Sequence, residues 1–333
     1  MDNIKPRDCS CKTISKWLTT ITILMISGAI SFTNLFPFQV NLQHDIQLFQ
    51  ERSLNIATAE ELERIKPHIC FHGFNDLRQN GEFQLLNGTK NLFQSVRNLN
   101  NIDIYMKCSN FSSFYGLPDF NKRLFDDAVC LPFIKKTFPQ HYQMAVDFPY
   151  GVQRSDFCRI LYIYEYGGVY ADSDVVFTKH PSNWVMPYTT LGSNMDIEMI
   201  VGRETTFTKG PSNPCQIVQW TFASRPKHDV LKFAIEDIAG WYSRAPEDFA
   251  NREMIVTVTG PGVFSRSVVR YLKKMGVGLE GCAKAPSKIG SLYIGPVNMF
   301  NCGTRFDDVD YPCNEHRAIR HLFGSRWKGL YIE

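Results

Sequence analysis

Apolar positions along the chain form one unbroken N-terminal run, followed by a longer part in which helical and strand-like periods alternate. In residues 17–38, "WLTTITILMISGAISFTNLFPF", no charged side chain occurs, and the run exceeds the roughly 20 residues that cross a bilayer. It is apolar on every side and terminal, which fits a membrane anchor better than a core helix. Residues 39–57 read as a short stem. "TAEELERI" then sets Thr58 and Glu61 at capping-box spacing, so a helix is expected to start there. "KPHICFHGF" is expected to form a first strand, "TKNLFQSVRNL" a helix, and the alternating "NIDIYMKC" a strand. Residues 118–139 read as helical with a break at Pro132.

The stretch "RSDFCRILYIYEYGGVYADSDVVF" combines both periods. Phe157, Ile160, Leu161 and Tyr164 recur at helical spacing after Ser155 or Asp156, and Gly167 and Gly168 stop the helix. "VYADSDVVF" reads as a strand broken near its middle. "IEMIVG" and "QIVQWTFA" read as strands and "DVLKFAIEDIAGWY" as an amphipathic helix. "VTVTGPGVF" reads as a strand entering a Gly-Pro-Gly loop, with the helix "SRSVVRYLKKM" behind it. Strands alternating with helices predict an α/β layered domain over 58–333, without a linker, repeat or low-complexity tract.

Charge and cysteine usage add a setting. Thirty-six Lys and Arg against 33 Asp and Glu leave a net charge of +3 with no basic stripe, so no nucleic-acid partner is expected. Lys5, Arg7, Lys12 and Lys16 precede the apolar run, which puts residues 1–16 in the cytosol and the rest in a lumen, a single-pass type II topology. The rival reading is a cleaved signal peptide, although the run is long for one and residues 27–31 make only a weak cleavage site. Cys9 and Cys11 precede the run and are either palmitoylation sites or ordinary thiols. The other eight cysteines, from Cys70 to Cys313, lack zinc-type C-x-x-C spacing. A lumen permits disulfides among them, and spacing alone does not select the pairs. The sequons at Asn87 and Asn110 lie on the same proposed side.

The candidate chemistry centres on "DSD". In an extended segment residues i and i+2 project to one side, so Asp172 and Asp174 are expected to converge on one ion. Two carboxylates without a cation repel, and Mn²⁺ or Mg²⁺ removes that cost. A solvated acidic turn is the plain alternative. Asp156 and Arg159, at i and i+3, can face the same place, or can form an ordinary surface pair. "DSDVV" also fits the nucleophile loop of haloacid-dehalogenase-like phosphatases, which would make Asp172 the nucleophile. That loop belongs on the first strand of a catalytic domain, and here more than a hundred residues precede it.

Taken together, Asp156, Arg159, Leu161, Gly167, Gly168, Tyr170, Asp172 and Asp174 resemble the spaced motif of glycosyltransferase family 32. "IVQWTFASRPKHDVL" and "VTGPGVFSRSV" narrow the resemblance to the fungal Golgi initiation-specific α-1,6-mannosyltransferases and their relatives. The resemblance implies a GT-A fold, a Rossmann-like nucleotide-sugar-binding α/β/α sandwich, and a retaining hexose transfer. The donor it implies is GDP-mannose, with UDP-galactose, UDP-GlcNAc or UDP-glucose as the alternatives, and the acceptor a glycan or glycolipid. It implies Golgi membrane residence through residues 17–38. By the same carry-over Asp172, Asp174 and Arg159 are the catalytic set. Asp156, Arg159, Gly168, Tyr170, Asp172, Gly260 and Trp327 bind the donor. Asp172, Asp174 and His321 hold Mn²⁺ (or Mg²⁺), with His316 as another choice for the histidine. The matching loop 259–262 would lie near donor or acceptor, or be a tight turn. "HLFGSRW" departs from the family's terminal "GSW" by the inserted Arg326, and "HICFHGF" departs at the opening strand. A sugar-binding protein without activity is the remaining reading.

Overall fold

Short, mostly apolar strands build the central sheet. The computed structural model describes residues 89–95, 117, 119–185, 196–204, 215–301 and 317–321, all within the unit 75–333. Among these, β1 (Asn91–Ser95), β2 (Asn121–Phe125), β3 (Gly168–Ala171), β5 (Met199–Gly202), β6 (Thr221–Ser224), β7 (Ser287–Ile289) and β8 (Leu292–Gly295) form one seven-stranded sheet in the order β2-β1-β3-β6-β5-β8-β7. β4 (Val175–Phe177) and β9 (Ile319–His321) pair separately. β1 runs parallel to both β2 and β3, whereas β3 pairs antiparallel with β6. The chain order turns back at β1, with β2 on one side and β3 on the other, and in open α/β sheets ligands bind at such a reversal of strand order, beyond the strands' carboxyl ends.

Alternation decides what each face buries. Phe93, Tyr170, Met199, Val201, Phe222, Leu292 and Ile294 point into one core. Helices α1 (Asp127–Thr137), α2 (Tyr142–Asp147), α3 (Gly151–Tyr166), α4 (Asp229–Arg244) and α7 (Pro261–Lys274) supply its other side. The shorter α5 (Glu247–Ala250), α6 (Ile255–Val258) and α8 (Glu280–Ala283) also contribute to it. Leu92, Val169, Ala171, Ile200, Ala223 and Tyr293 point the other way. They meet Trp184, Val185, the β4–β9 pair and α9 (Val297–Phe300). The expected helical layers on both faces thus reduce, among the described residues, to one full helical layer and a thinner cover.

Several local expectations change. "TKNLFQSVRNL" contains β1, not a helix. With sheet neighbours on both sides and cores on both faces, Leu92, Phe93 and Gln94 are all buried, which hides the strand's two-residue period. Residues 121–125 form β2 rather than the start of a helix. Pro132 does not break α1; it is exposed, and so is Ala128, whose carbonyl loses its partner to the proline. "VTVTGPGVF" is α6 followed by the start of α7, with Pro261 in the first helical position, where its fixed φ favours a helix. β-branched residues at 255–258 mimic a strand because four residues are too few to show a period. α3 starts at Gly151, so Asp156 sits in its second turn instead of at its cap. In "QIVQWTFA" only Thr221 and the residues after it join the sheet, apart from one bridge between Ile217 and Arg203.

Cys130–Cys158 ties α1 to α3, and Cys215–Cys282 ties the segment before β6 to α8. They close loops of 28 and 67 residues, worth about 3.6 and about 4.4 kcal/mol on the chain-entropy account. Among the described residues no helix is long and apolar enough to cross a membrane; residues 17–38, the stem and the expected elements at 58–74 and 101–108 lie outside them.

Candidate functional site

The site begins with two glycines. Gly167 ends α3 at φ +65°, and Gly168 opens β3 at φ +115°. A Cβ on Gly168 would lie 2.3 Å from the Asn91 carbonyl oxygen, so only glycine lets β3 approach β1 this closely. After four residues β3 ends and the chain turns: the Val175 N–H donates to the Asp172 carbonyl at 3.0 Å, and β4 follows. Asp172 and Asp174 converge through this turn. The expected alternation along an extended strand is not the cause.

The third member comes from far along the chain. Antiparallel pairing sets Val175 opposite His321, and His321 Nε2 lies 3.1 Å from Asp174 Oδ1. One ligand atom each from Asp172, Asp174 and His321 falls within 4.8 Å of the others. Two carboxylates and one imidazole are a donor set for a divalent cation such as Mn²⁺.

Arg159 backs the cluster from α3. Its guanidinium lies 3.0 Å from Asp156 Oδ1 and 3.1 Å from Asp172 Oδ1. It also donates to the Gln219 carbonyl at 3.2 Å, and its Cζ lies 4.6 Å from the centre of the Tyr170 ring. Asp156 and Arg159 are 5% and 6% exposed, so this is a buried pair, unlike the exposed i, i+3 alternative. Thr259 Oγ1 donates to Asp156 Oδ2 at 3.2 Å, and Gln219 Nε2 donates to the Thr259 carbonyl at 3.0 Å. The loop at 259–262 thus meets the site through Thr259, with Gly260 buried beside it. Tyr170 is fully buried, and its hydroxyl donates to Asp172 Oδ1 at 2.5 Å and meets Ser95 Oγ at 2.6 Å. It therefore reaches the site through Asp172, and Gly168 reaches it through backbone shape.

Electrostatics follow from this crowding. Burial pushes the Asp156 carboxyl up to about 6; Arg159 opposes this, the Asp172 charge adds to it, and Thr259 opposes it. Asp172 is also raised, by burial first and by Asp174, against the pull of Arg159. Burial works against the Arg159 charge, but Asp172, Tyr170, Asp156 and Asp174 together raise its pKa, so it stays protonated. Among the described residues the site holds three aspartates and one arginine. Fully ionised, they carry two excess negative charges, which a divalent cation would neutralise.

Sequence reading singled out Asp156, Arg159, Tyr170, Asp172, Asp174 and His321, and the fold brings all six together. Gln219 and Trp220 were missed. Trp220 stacks flat on His321, with ring centres 4.8 Å apart and planes at 1°, and its carbonyl accepts from the Asp172 N–H at 2.8 Å. Both lie in "IVQWTFASRPKHDVL", one of the stretches that carry the family resemblance, and that placement was the signal available for them. Trp327 and His316 lie outside the described residues.

Residues 87–191 match the family described as glycosyltransferase sugar-binding region containing DXD motif. The chain is 28% identical over 192 residues to an initiation-specific α-1,6-mannosyltransferase of Schizosaccharomyces pombe, covering 54% of this chain and 48% of that protein. It is 26% identical over 258 residues to the protein of that name in Candida albicans, covering 63% and 64%. A putative glycosyltransferase, HOC1, of Saccharomyces cerevisiae is 25% identical over 197 residues, covering 53% and 49%. The chain thus spans about half the length of the first relatives it matches. Among solved structures, the PaToxG glycosyltransferase aligns at 16% identity over 56% of this chain and 70% of that one, with a TM-score of 0.39. Asp156, Arg159, Gly168, Tyr170, Asp172 and Asp174 all fall inside the span that is similar to that family.

Proposed function

We propose that this chain is a retaining hexosyltransferase of the GT-A type. It moves mannose from GDP-mannose to a glycan or glycolipid acceptor and uses Mn²⁺ held by Asp172, Asp174 and His321. The observation that carries the reading is the convergence of those three side chains just beyond the carboxyl end of β3, beside the reversal of strand order, backed by Arg159. The similarity to named α-1,6-mannosyltransferases supports mannose as the sugar. Two disulfides among the described residues support an oxidising lumen, in keeping with a type II Golgi protein anchored by residues 17–38.

In this reading each side chain has a physical task. Asp172 and Asp174 supply anionic oxygens at the mouth of β3, and His321 adds a nitrogen across the β4–β9 pair. When bound there, a divalent cation neutralises the diphosphate leaving group. Tyr170 and Arg159 hold the Asp172 carboxylate in one orientation before the donor arrives, so little reorganisation remains at reaction. Asp172 Oδ1 already accepts from both groups. That arrangement suits a fixed ligand and ill suits the nucleophile of a phosphatase.

The test uses the purified full-length chain with Mn²⁺. GDP-mannose should be turned over faster than UDP-galactose, UDP-GlcNAc or UDP-glucose. Asp174→Ala should lower turnover by at least a hundredfold while leaving folding intact, the scale expected when an electrostatic element of a site is removed. Undiminished turnover in that variant removes Asp174 from the mechanism. Preference for a UDP-sugar replaces the donor and keeps the class. Phosphate release from small phosphomonoesters, with a trappable phosphate on Asp172, replaces the class.

A further inference from the structure

Trp220 is half-buried immediately before β6, and contacts on both its main chain and its indole hold it. Its Nε1 donates to the Phe300 carbonyl at 2.8 Å, which ties the indole to the end of α9. Its ring lies parallel to the His321 imidazole at 4.8 Å. Its own carbonyl accepts from the Asp172 N–H at 2.8 Å. One residue therefore touches both ends of the carboxylate–imidazole cluster, one end by main chain and the other by side chain.

His321 needs such support. It terminates β9, which is three residues long and, among the described residues, pairs with the equally short β4. The second side-chain torsion of a histidine is broad and shallow, so the contact with Asp174 places Nε2 but leaves the ring plane to the groups packed on it. A flat stack on an anchored indole removes that freedom.

We propose that Trp220 is a positioning residue for the cation site: the indole sets the plane of His321 so that Nε2 stays aimed where the Asp172 and Asp174 carboxylates converge. This rests on the reading above that a divalent cation occupies that cluster. Groups that orient metal ligands typically change affinity by 10- to 100-fold. Trp220 acts on a ligand and not on the reacting atoms, so its loss should raise the Mn²⁺ concentration required more than it lowers the rate at saturating Mn²⁺.

The test titrates Mn²⁺ into the full-length protein by calorimetry and by tryptophan fluorescence, without donor. Trp220→Leu should weaken Mn²⁺ binding about 10- to 100-fold. Trp220→Phe, which keeps a ring against the imidazole, should retain most of the affinity and lose most of the Mn²⁺-induced quenching. In a His321→Ala background, Trp220→Leu should have no further effect, since the two act as one unit. Unchanged Mn²⁺ affinity in Trp220→Leu overturns the proposal while the cation site stands. An equal loss with and without His321 overturns it too, because the effect is then general to the fold. Should Trp220→Leu fail to fold, Trp220→Met replaces it, and unchanged Mn²⁺ affinity in that variant overturns the proposal. Absence of Mn²⁺ binding by the unaltered protein overturns the cation reading itself, and this inference with it.

Discussion

Arg159 shows how one cation organises the site. Its guanidinium is shared between Asp156 and Asp172, both of which burial pushes toward the neutral form. Removing it would leave the buried Asp156 and the half-buried Asp172 side by side without the guanidinium between them. Arg159→Met should therefore destabilise the protein by about 3–5 kcal/mol, the usual cost of stripping one partner from a buried pair. Denaturant unfolding without donor or metal measures this, and a change below about 1 kcal/mol, typical of exposed pairs, contradicts the buried arrangement. Asp156 and Arg159 were legible as candidates from their i, i+3 spacing and their place in a long motif. Their burial was not, because spacing carries no information about what packs over a helix. Gln219 was invisible for another reason: it engages Arg159 through its main-chain carbonyl and Thr259 through its amide, and no residue pattern encodes the first of these.

At the level of elements, the link from α3 to β3 decides where Asp172 stands. The two glycines let the chain leave the helix and pass against Asn91 without a side chain. Gly168→Ala would place a methyl group 2.3 Å from a backbone oxygen at φ +115°. Both the strain and the overlap oppose folding, and we expect a loss of about 3 kcal/mol or more, with β1 pushed from β3. Thermal unfolding of the variant checks this; a midpoint within a degree or two of the parent would mean that β1 and β3 are not in contact as described. The helix that ends at Tyr166, the glycine stop and the broken strand were all readable, since each rests on local chemistry within a few residues, whereas the helix start at Gly151 was not. β1 was misread because a strand buried on both faces loses its two-residue signature. α6 was misread because a single helical turn is too short to show a period.

The whole molecule adds a pH dependence that no single element has. His228 caps α4, its Nδ1 accepting from the Val230 N–H at 3.3 Å, while Nε2 meets Ser291 Oγ at 3.2 Å ahead of β8. Burial holds it down at about 4, against 6.5 for a free histidine. Between those values the unfolded chain binds a proton that the folded protein refuses. The stabilisation is therefore complete above about pH 6.5 and is lost as pH falls toward 4, by up to about 3 kcal/mol. His228→Asn keeps a capping side chain and cannot titrate, so its stability should fall less steeply than the parent's over that window. Parallel slopes in denaturant unfolding at pH 4.5, 5.5 and 6.5 would rule the assignment out.

By itself the sequence determined the alternation of helices and strands, the glycine-marked turn into Asp-Ser-Asp, and the residue types able to hold a cation. These follow from backbone sterics and side-chain chemistry over short spans. Only the tertiary structure decided that Asp172 and Asp174 converge through a turn and that Arg159 and Asp156 are buried. It alone brought His321 across from Val175, 147 residues beyond Asp174, to complete the cluster, with Trp220 lying flat on its ring. Such meetings depend on which strands pair and in what register, and those are set by burial summed over the whole sheet, a quantity that no local stretch of sequence contains.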